Sequence, residues 1–210
     1  MLDNIGFDLW ANEYDKSVNL SEENNEYPFA GYRDVLNYVY NKIMSERESD
    51  LNILDIGFGT GILTEQLYNK GHKITGIDFS NKMIEIARGK MPQSTLVKWN
   101  FSKGLPEEIK DYKFDYIIST YAIHHLTDIE KEDFIKSLAC NLTTNGRIIL
   151  GDVSFETRLD LGECKNKYNK YWDNEEIYFV GEEMIEKLKN EYMCEYIKKS
   201  HCAGILVISK

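Results

Sequence analysis

The chain has 210 residues, 42% of them hydrophobic, which suits one α/β domain with a full core and argues against disorder. Its 25 Lys and Arg residues against 35 Asp and Glu residues give a net charge of −10, so we expect no nucleic-acid partner. No apolar stretch approaches the roughly 20 residues of a membrane span and no signal peptide is visible, which predicts no membrane partner and a cytoplasmic location.

Four cysteines without a C-x-x-C pair indicate free thiols in a reducing cytoplasm. A thiol-dependent activity through Cys164 and Cys202 is a minority alternative.

Strand and helix patterns alternate along the chain. An aromatic-rich, helical N-terminal extension is expected over residues 1–48. Five β-α units should follow, with strands at 50–56, 73–78, 95–99, 114–120 and 147–152 and helices at 60–70, 81–90 and 128–141. Ile129 is expected on the inner face of the last of these helices, and Asn145-Gly146 predicts a turn.

The C-terminal third departs from this alternation. Residues 155–180 predict a charged, aromatic helical insertion that would cover the ligand crevice as a lid. Gly181 should precede a helix that runs through Asn190. Strands at 195–200 and 205–209, joined by a loop containing Gly204, must be antiparallel neighbours because the connection is too short for a crossover. The whole chain, 1–210, therefore predicts a single α/β domain built on a doubly wound sheet of about seven strands, mostly parallel with an antiparallel C-terminal strand.

A glycine turn follows the first predicted strand. Gly57, Gly59 and Gly61 stand at alternate positions after Asp55, and glycines here permit a tight turn and close approach of a ligand to the backbone. A dinucleotide loop, G-x-G-x-x-G, would need glycine where this chain has Ile62. A carboxylate before the turn would repel a pyrophosphate and attract a cation.

Asp78 ends the second predicted strand, about 20 residues after the turn, where an acid accepts hydrogen bonds from ribose hydroxyls in nucleotide-binding sheets. Together with Asp55 and the glycine spacing, this favours a cationic adenosine cofactor without phosphate. S-adenosylmethionine, which carries a sulfonium and an ammonium group, fits these constraints.

At these motifs the sequence resembles the class I S-adenosylmethionine-dependent methyltransferases. Residues 54–61 look like the first motif of that family, 76–80 like its second, and 99–101 fall at its third. The resemblance implies a three-layer, Rossmann-like fold and a set of cofactor contacts, namely Asp55, Gly57, Gly59, Gly61, Asp78, Phe79, Asn100, Phe101, Thr120 and Tyr14. Asn100 replaces the Asp that many relatives have, and its amide can still meet the adenine.

Two further stretches are similar to small bacterial methyltransferases. They are residues 10–15, Trp-Ala-Asn-Glu-Tyr-Asp, and residues 119–126, Ser-Thr-Tyr-Ala-Ile-His-His-Leu. The likeness implies methyl transfer by in-line displacement, with Tyr14 closing over the amino-acid end of the cofactor. No proline follows Thr120, unlike the Pro-Pro-Tyr motif of enzymes that methylate nucleic-acid amino groups, so a small-molecule acceptor is expected.

His124 and His125 are the candidate catalytic residues, because histidine takes up protons near neutral pH. Adjacent residues after a strand usually point apart, so at most one is expected to face the site. Asp152 and Glu156 lack a convincing third ligand, which predicts no metal.

Two other functions remain open. The chain could bind S-adenosylmethionine as a regulator or scaffold without transferase activity, or act as a nucleotide-dependent oxidoreductase. A monomer and a homodimer are both compatible with the sequence.

Overall fold

The computed structural model describes residues 25–210, in which the strands form one open sheet. The strands are β1 (Asn52–Ile56), β2 (Lys73–Asp78), β3 (Thr95–Lys98), β4 (Phe114–Thr120), β5 (Leu142–Phe155), β6 (Phe179–Val180), β7 (Met193–Lys198) and β8 (Ala203–Ser209). Their order is β3-β2-β1-β4-β5-β8-β7, and β6 pairs with the end of β5. Strand β8 runs antiparallel to both β5 and β7, while the other pairs are parallel. The predicted mostly parallel sheet with an antiparallel C-terminal strand is confirmed.

Helices cover both faces of this sheet, which confirms the three-layer prediction. They are α1 (Tyr32–Glu46), α2 (Ile62–Asn69), α3 (Asn81–Lys90), α4 (Asp128–Ala139), α5 (Arg158–Lys167) and α6 (Gly181–Leu188). Alternate strand residues point to opposite faces. Ile53 therefore packs with α1, α2 and α3 on one face, and Leu54 packs with α4 and α6 on the other. No helix within residues 25–210 has the length and apolar character needed to cross a membrane.

Strand β5 is longer than predicted and contains Asn145-Gly146, so the predicted turn there is wrong. Pairing with β4 passes from Leu142 opposite Phe114 to Arg147 opposite Tyr116. Residues 143–146 of β5 thus lie opposite the single residue 115 of β4 and form a bulge, through which the strand continues.

Gly204 lies inside β8, and its prediction as a loop residue is also wrong. A Cβ atom at Gly204 would lie 2.1 Å from the hydroxyl oxygen of Tyr196 on the neighbouring strand. The glycine is therefore required by close packing of a ring on the sheet.

The first turn of α4 differs from its prediction, because Ile129 is 72% exposed. Phe134, Ile135 and Leu138 are buried as expected. The position that completes their helical stripe at i, i+3, i+4 and i+7 is occupied by Lys131, which is 1% exposed.

Residues 155–180 are helical only over α5. The chain then runs through 168–178 without helix or strand before β6 joins the sheet. The predicted helical insertion is thus half helix and half irregular chain. The irregular half contributes to the candidate site.

Candidate active site

The glycine turn connects β1 to α2 at the carboxyl edge of the parallel strands. Gly57, Gly59 and Gly61 all have positive φ, at 69°, 57° and 76°. A Cβ atom at Gly57 would lie 2.5 Å from the Cβ of Ala122, so only glycine fits between the turn and the chain after β4. Gly61 caps the start of α2 and packs against α3.

Asp78 joins the end of β2 to this turn. Its carboxylate is buried and accepts one hydrogen bond from the Gly59 backbone N–H and one from the Ser80 backbone N–H, each 2.9 Å. Ser80 in turn caps α3 by accepting from the Met83 backbone N–H. These hydrogen bonds hold the carboxylate in place in the lining of a cavity at the carboxyl edge of the sheet.

Asp55 is a buried carboxyl group beneath the turn. Its Oδ2 accepts a hydrogen bond from the Thr64 hydroxyl, whereas Oδ1 has no hydrogen-bond partner among the residues that the structure describes. Burial raises the pKa of Asp55 to about 7, with a further contribution from the charge of Asp78. A buried carboxyl oxygen without a donor suits a ligand that brings a positive charge. The surroundings of Asp55 therefore fit the ammonium group of S-adenosylmethionine.

The third motif lies after β3. Phe101 is buried and lines the cavity, as does Phe79 after β2. Asn100 is exposed and caps a short 3-10 helix, its side-chain oxygen accepting from the Ser102 backbone N–H at 3.0 Å. Neither Asn100 nor Gly61 belongs to the cavity lining. Their predicted contacts with the cofactor stay predictions.

Thr120 is the last residue of β4 and Tyr121 follows it, and both line the cavity. Tyr121 adopts a positive φ of 52° and donates its backbone N–H to the Gly151 carbonyl at 2.8 Å. Its ring lies 4.9 Å from that of Tyr32 and 5.7 Å from that of Phe29. An aromatic cluster therefore covers this part of the cavity.

His124 and His125 both line the cavity, so the expectation that only one faces it is wrong. They lie in a 3-10 helix spanning Ile123–His125, where successive side chains are about 120° apart rather than on opposite sides as in a strand. Their ring centroids are 4.3 Å apart.

Asp152, at the carboxyl end of β5, fixes the orientation of His124. The carboxylate is fully buried and lies 2.7 Å from His124 Nδ1, while its second oxygen accepts from the His124 backbone N–H at 3.2 Å. Burial lowers the pKa of His124, but Asp152 and Glu176 more than offset it, so the pKa is raised. Burial and the neighbouring His124 lower the pKa of His125 to about 4.

The segment 173–178 forms an acidic wall opposite the histidines. Glu176 Oε1 lies 3.6 Å from His124 Nε2, and Glu176 Oε2 accepts a hydrogen bond from the Tyr178 hydroxyl at 2.5 Å. Tyr178 also hydrogen-bonds Tyr27, whose ring stacks on Trp172 with centroids 5.1 Å apart. Aromatic packing thus supports the acidic wall.

Lys131 holds this wall to the histidine turn. Its ammonium donates to the Leu126 carbonyl and, at 2.7 Å, to the Ile177 carbonyl. The Ile177 backbone N–H also donates to the His124 carbonyl at 2.8 Å. Burial lowers the pKa of Lys131 although Asp128 and Asp152 act in the other direction.

These elements enclose a cavity of ≈ 290 Å³. Its lining includes five acidic residues, Asp55, Asp78, Asp173, Glu175 and Glu176, and no Lys or Arg among residues 25–210. The sequence did not indicate Asp173, Glu175, Glu176 or Lys131 as residues of the site. A break in the apolar stripe of α4 was the available signal for Lys131, whereas no pattern marked Glu176.

Two predictions concern residues elsewhere. Tyr14 lies outside the described residues. Cys164 and Cys202 are free and buried but do not line the cavity, which gives no support to a thiol-dependent activity.

Comparisons with known proteins agree with this geometry. A family model described as a methyltransferase domain matches residues 53–146. The chain is 32% identical over 216 residues to an uncharacterized methyltransferase of Staphylococcus carnosus, with 97% of each covered. Among solved structures, the DhpI-SAM-HEP complex has a TM-score of 0.70 at 17% identity, covering 97% of this chain and 94% of that chain. Magnesium protoporphyrin IX methyltransferase from Synechocystis PCC 6803, with bound SAM, has a TM-score of 0.66 at 18% identity, covering 99% and 97%.

The sequence relationship over nearly the whole length decides the family, while the two solved structures support the fold. The chain belongs to the class I S-adenosylmethionine-dependent methyltransferases. It is accordingly an enzyme of methyl transfer, with S-adenosylmethionine as the cofactor.

Proposed function

We propose that this enzyme transfers the methyl group to a small-molecule acceptor that is neutral or positively charged. The observation that carries the proposal is the lining of the cavity, which combines five acidic residues with aromatic rings and includes no Lys or Arg among the described residues. Such a lining repels phosphate groups and carboxylates and attracts cations and polarisable groups. A nucleic-acid acceptor is disfavoured for the same reason.

The cofactor is proposed to lie along the glycine turn. Asp78 would accept hydrogen bonds from the ribose, and Gly57 and Gly59 would let the ligand approach the backbone. Phe79, Asn100 and Phe101 are the candidates for contact with the adenine. Asp55 would face the ammonium group, where the carboxyl oxygen that lacks a donor gains a charged partner.

Thr120 is proposed at the methionine part of the cofactor, with the acceptor beyond it against His124, His125 and Glu176. When bound, the cofactor would supply a methyl group activated by the sulfonium. An electron-rich acceptor atom would attack the methyl carbon in line with the breaking carbon–sulfur bond, and the sulfur would leave with the electron pair as the thioether S-adenosylhomocysteine. The protein positions the two reactants, and the cluster of Phe29, Tyr32 and Tyr121 excludes water from between them.

An acceptor screen tests this proposal. The full chain with S-adenosylmethionine is incubated with neutral, cationic and phosphate-bearing small molecules and with tRNA, and S-adenosylhomocysteine release is measured. We expect turnover confined to neutral or cationic compounds. Turnover only with tRNA or phosphate-bearing compounds would overturn the proposal. Cofactor binding in calorimetry without turnover across the whole screen would favour the regulator or scaffold alternative.

The remaining partner predictions are part of the same proposal. We propose a cytoplasmic enzyme, a monomer or homodimer, that acts on a metabolite-sized acceptor. The four free cysteines support a reducing compartment.

A further inference from the structure

We propose that His124, His125 and Glu176 form a binding site for a divalent transition-metal cation of the zinc type. One potential ligand atom from each of the three side chains lies within 4.8 Å of the others. Two imidazoles and one carboxylate are a common ligand set for Zn²⁺ and related ions, and three protein ligands leave a position open for water or substrate. The sequence prediction of no metal considered Asp152 and Glu156 and did not anticipate Glu176.

The orientation of His124 is the strongest argument for the site. Asp152 occupies Nδ1 at 2.7 Å, which directs Nε2 toward Glu176 Oε1 at 3.6 Å. That separation exceeds a good hydrogen bond and matches two atoms sharing a cation between them. A carboxylate on the distal nitrogen is the arrangement that fixes and strengthens metal-binding histidines.

Glu176 is positioned in a similar way. Tyr178 donates to its Oε2 at 2.5 Å, which leaves Oε1 facing the histidines. The main chain beside it is tied to the histidine turn by the Ile177–His124 hydrogen bond at 2.8 Å and by Lys131. Two distant parts of the chain are thereby held at a fixed separation across the cavity, as a rigid metal site requires.

The charges around the cluster favour a cation. Asp152 contacts His124, and Asp173 and Glu175 lie on the same wall as Glu176. The cavity lining includes no Lys or Arg among residues 25–210, and the nearby ammonium of Lys131 donates to main-chain carbonyls and pairs with Asp128 at 3.5 Å. A cation placed between the imidazoles and Glu176 would balance this local excess of carboxylates.

The site would also bear on the acceptor, and this part rests on the proposed function. A cation at the acceptor end of the cavity would bind a hydroxyl oxygen of the acceptor and lower the pKa of that hydroxyl. The proton would pass to solvent water, and the oxygen would keep the electron pair that forms the bond to the methyl group. This narrows the acceptor class to small hydroxyl compounds.

Metal binding is tested on the untagged full chain after chelator treatment. Equilibrium dialysis against Zn²⁺, and Co²⁺ absorption spectra, are expected to show one ion per chain with imidazole and oxygen ligands. A Cys140→Ser background removes the exposed thiol as a competing ligand. His125→Ala and Glu176→Gln should each weaken binding by more than the roughly 10- to 100-fold typical of losing an outer partner.

A matched control separates ligands from other histidines. His72→Ala removes a histidine that directly precedes β2, at the amino ends of the parallel strands and outside the cavity lining, and it should bind Zn²⁺ like the parent. If the parent protein binds Zn²⁺ no more tightly than His125→Ala does, or if all variants bind it equally, the proposal is overturned.

Cofactor affinity and turnover are measured on the same samples. Stoichiometric metal without turnover of any acceptor would leave the site standing and remove the proposed function. Turnover unchanged after chelation, in protein that binds no metal, would remove the site and leave the function.

Discussion

The two ends of the cavity are built in different ways. At the end proposed for the cofactor, Asp55, the glycine turn and Asp78 come from two consecutive β-α units. Asp78 is fixed by main-chain hydrogen bonds and Asp55 by the hydroxyl of Thr64. At the end proposed for the acceptor, His124, Asp152 and Glu176 come from three separate parts of the chain. They are held together by side-chain contacts, by the Ile177–His124 main-chain hydrogen bond and by the buried Lys131. The cofactor end is built from β-α units that define the fold. The acceptor end depends on contacts between distant segments, so its residues can change without altering the fold.

Gly57→Ala should have the largest effect, because the turn is both strained for other residues and closely packed. The positive φ and the 2.5 Å approach to Ala122 together should cost roughly 2–5 kcal/mol in the free energy of unfolding. Urea unfolding measures this. Gly89→Ala, in a helix with nothing within 4 Å of the added Cβ, is the control and should be neutral or stabilising by about 0.5–1 kcal/mol. Equal stability of the two variants would contradict the assigned role of the turn.

Lys131→Met should distinguish the two ends most clearly. It leaves the Leu126 and Ile177 carbonyls without their donor, at about 1–3 kcal/mol for an unpaired buried group. Methyl transfer should fall while affinity for S-adenosylmethionine in calorimetry changes little, because Lys131 does not touch the cofactor end. Lys136→Met, on the exposed side of the same helix, should cost under about 1 kcal/mol. A parallel loss of cofactor affinity and turnover would show that the ends are not independent.

Asp78→Asn should weaken cofactor binding without unfolding the protein. Loss of charged hydrogen bonds to the ribose is expected to cost about 1.5–3 kcal/mol, or roughly 10- to 100-fold in Kd. The control is Asp115→Asn, since Asp115 also accepts from a backbone N–H, that of Asn52 at 2.9 Å, but at the opposite edge of the sheet. If calorimetry gave the same Kd for S-adenosylmethionine in both variants, Asp78 would be excluded as a contact of the ribose.

The smallest effect concerns pH. Asp55 has a folded pKa of about 7 against an ordinary value of 3.8, so the ligand-free protein holds this proton more tightly than the unfolded chain. That contribution to stability is complete below the ordinary value and is lost as pH rises through 7. A cofactor ammonium favours the carboxylate, so affinity should rise with pH, by up to about tenfold per unit below pH 7.

Calorimetry between about pH 5.5 and 7.5 checks the Asp55 prediction, in buffers of different ionisation enthalpy that report proton release. Asp55→Asn should flatten the profile. An equal slope in parent and variant would exclude Asp55 as the source.

The same contrast explains what the sequence could predict. Strand alternation, the glycines and Asp78 are local patterns. The sheet and the tight turn of the glycines followed from them, and Gly57, Gly59 and Asp78 line the cavity. Errors arose where packing decides the outcome, as at Gly204 under the Tyr196 ring and at Ile129, whose expected inward place is taken by Lys131. Glu176 could not be predicted, because it lies in irregular chain and meets the histidines only through tertiary contacts.

The attachment of segment 168–178 also has a consequence for engineering. This stretch lies between α5 and β6, and its hydrogen bonds to the histidine turn run through the main chain of Ile177. Main-chain bonds tolerate changes of side chain, so sequences from related enzymes could be grafted here if Lys131 is kept. A library restricted to these positions would explore new acceptors while the methyl-donor site is inherited intact.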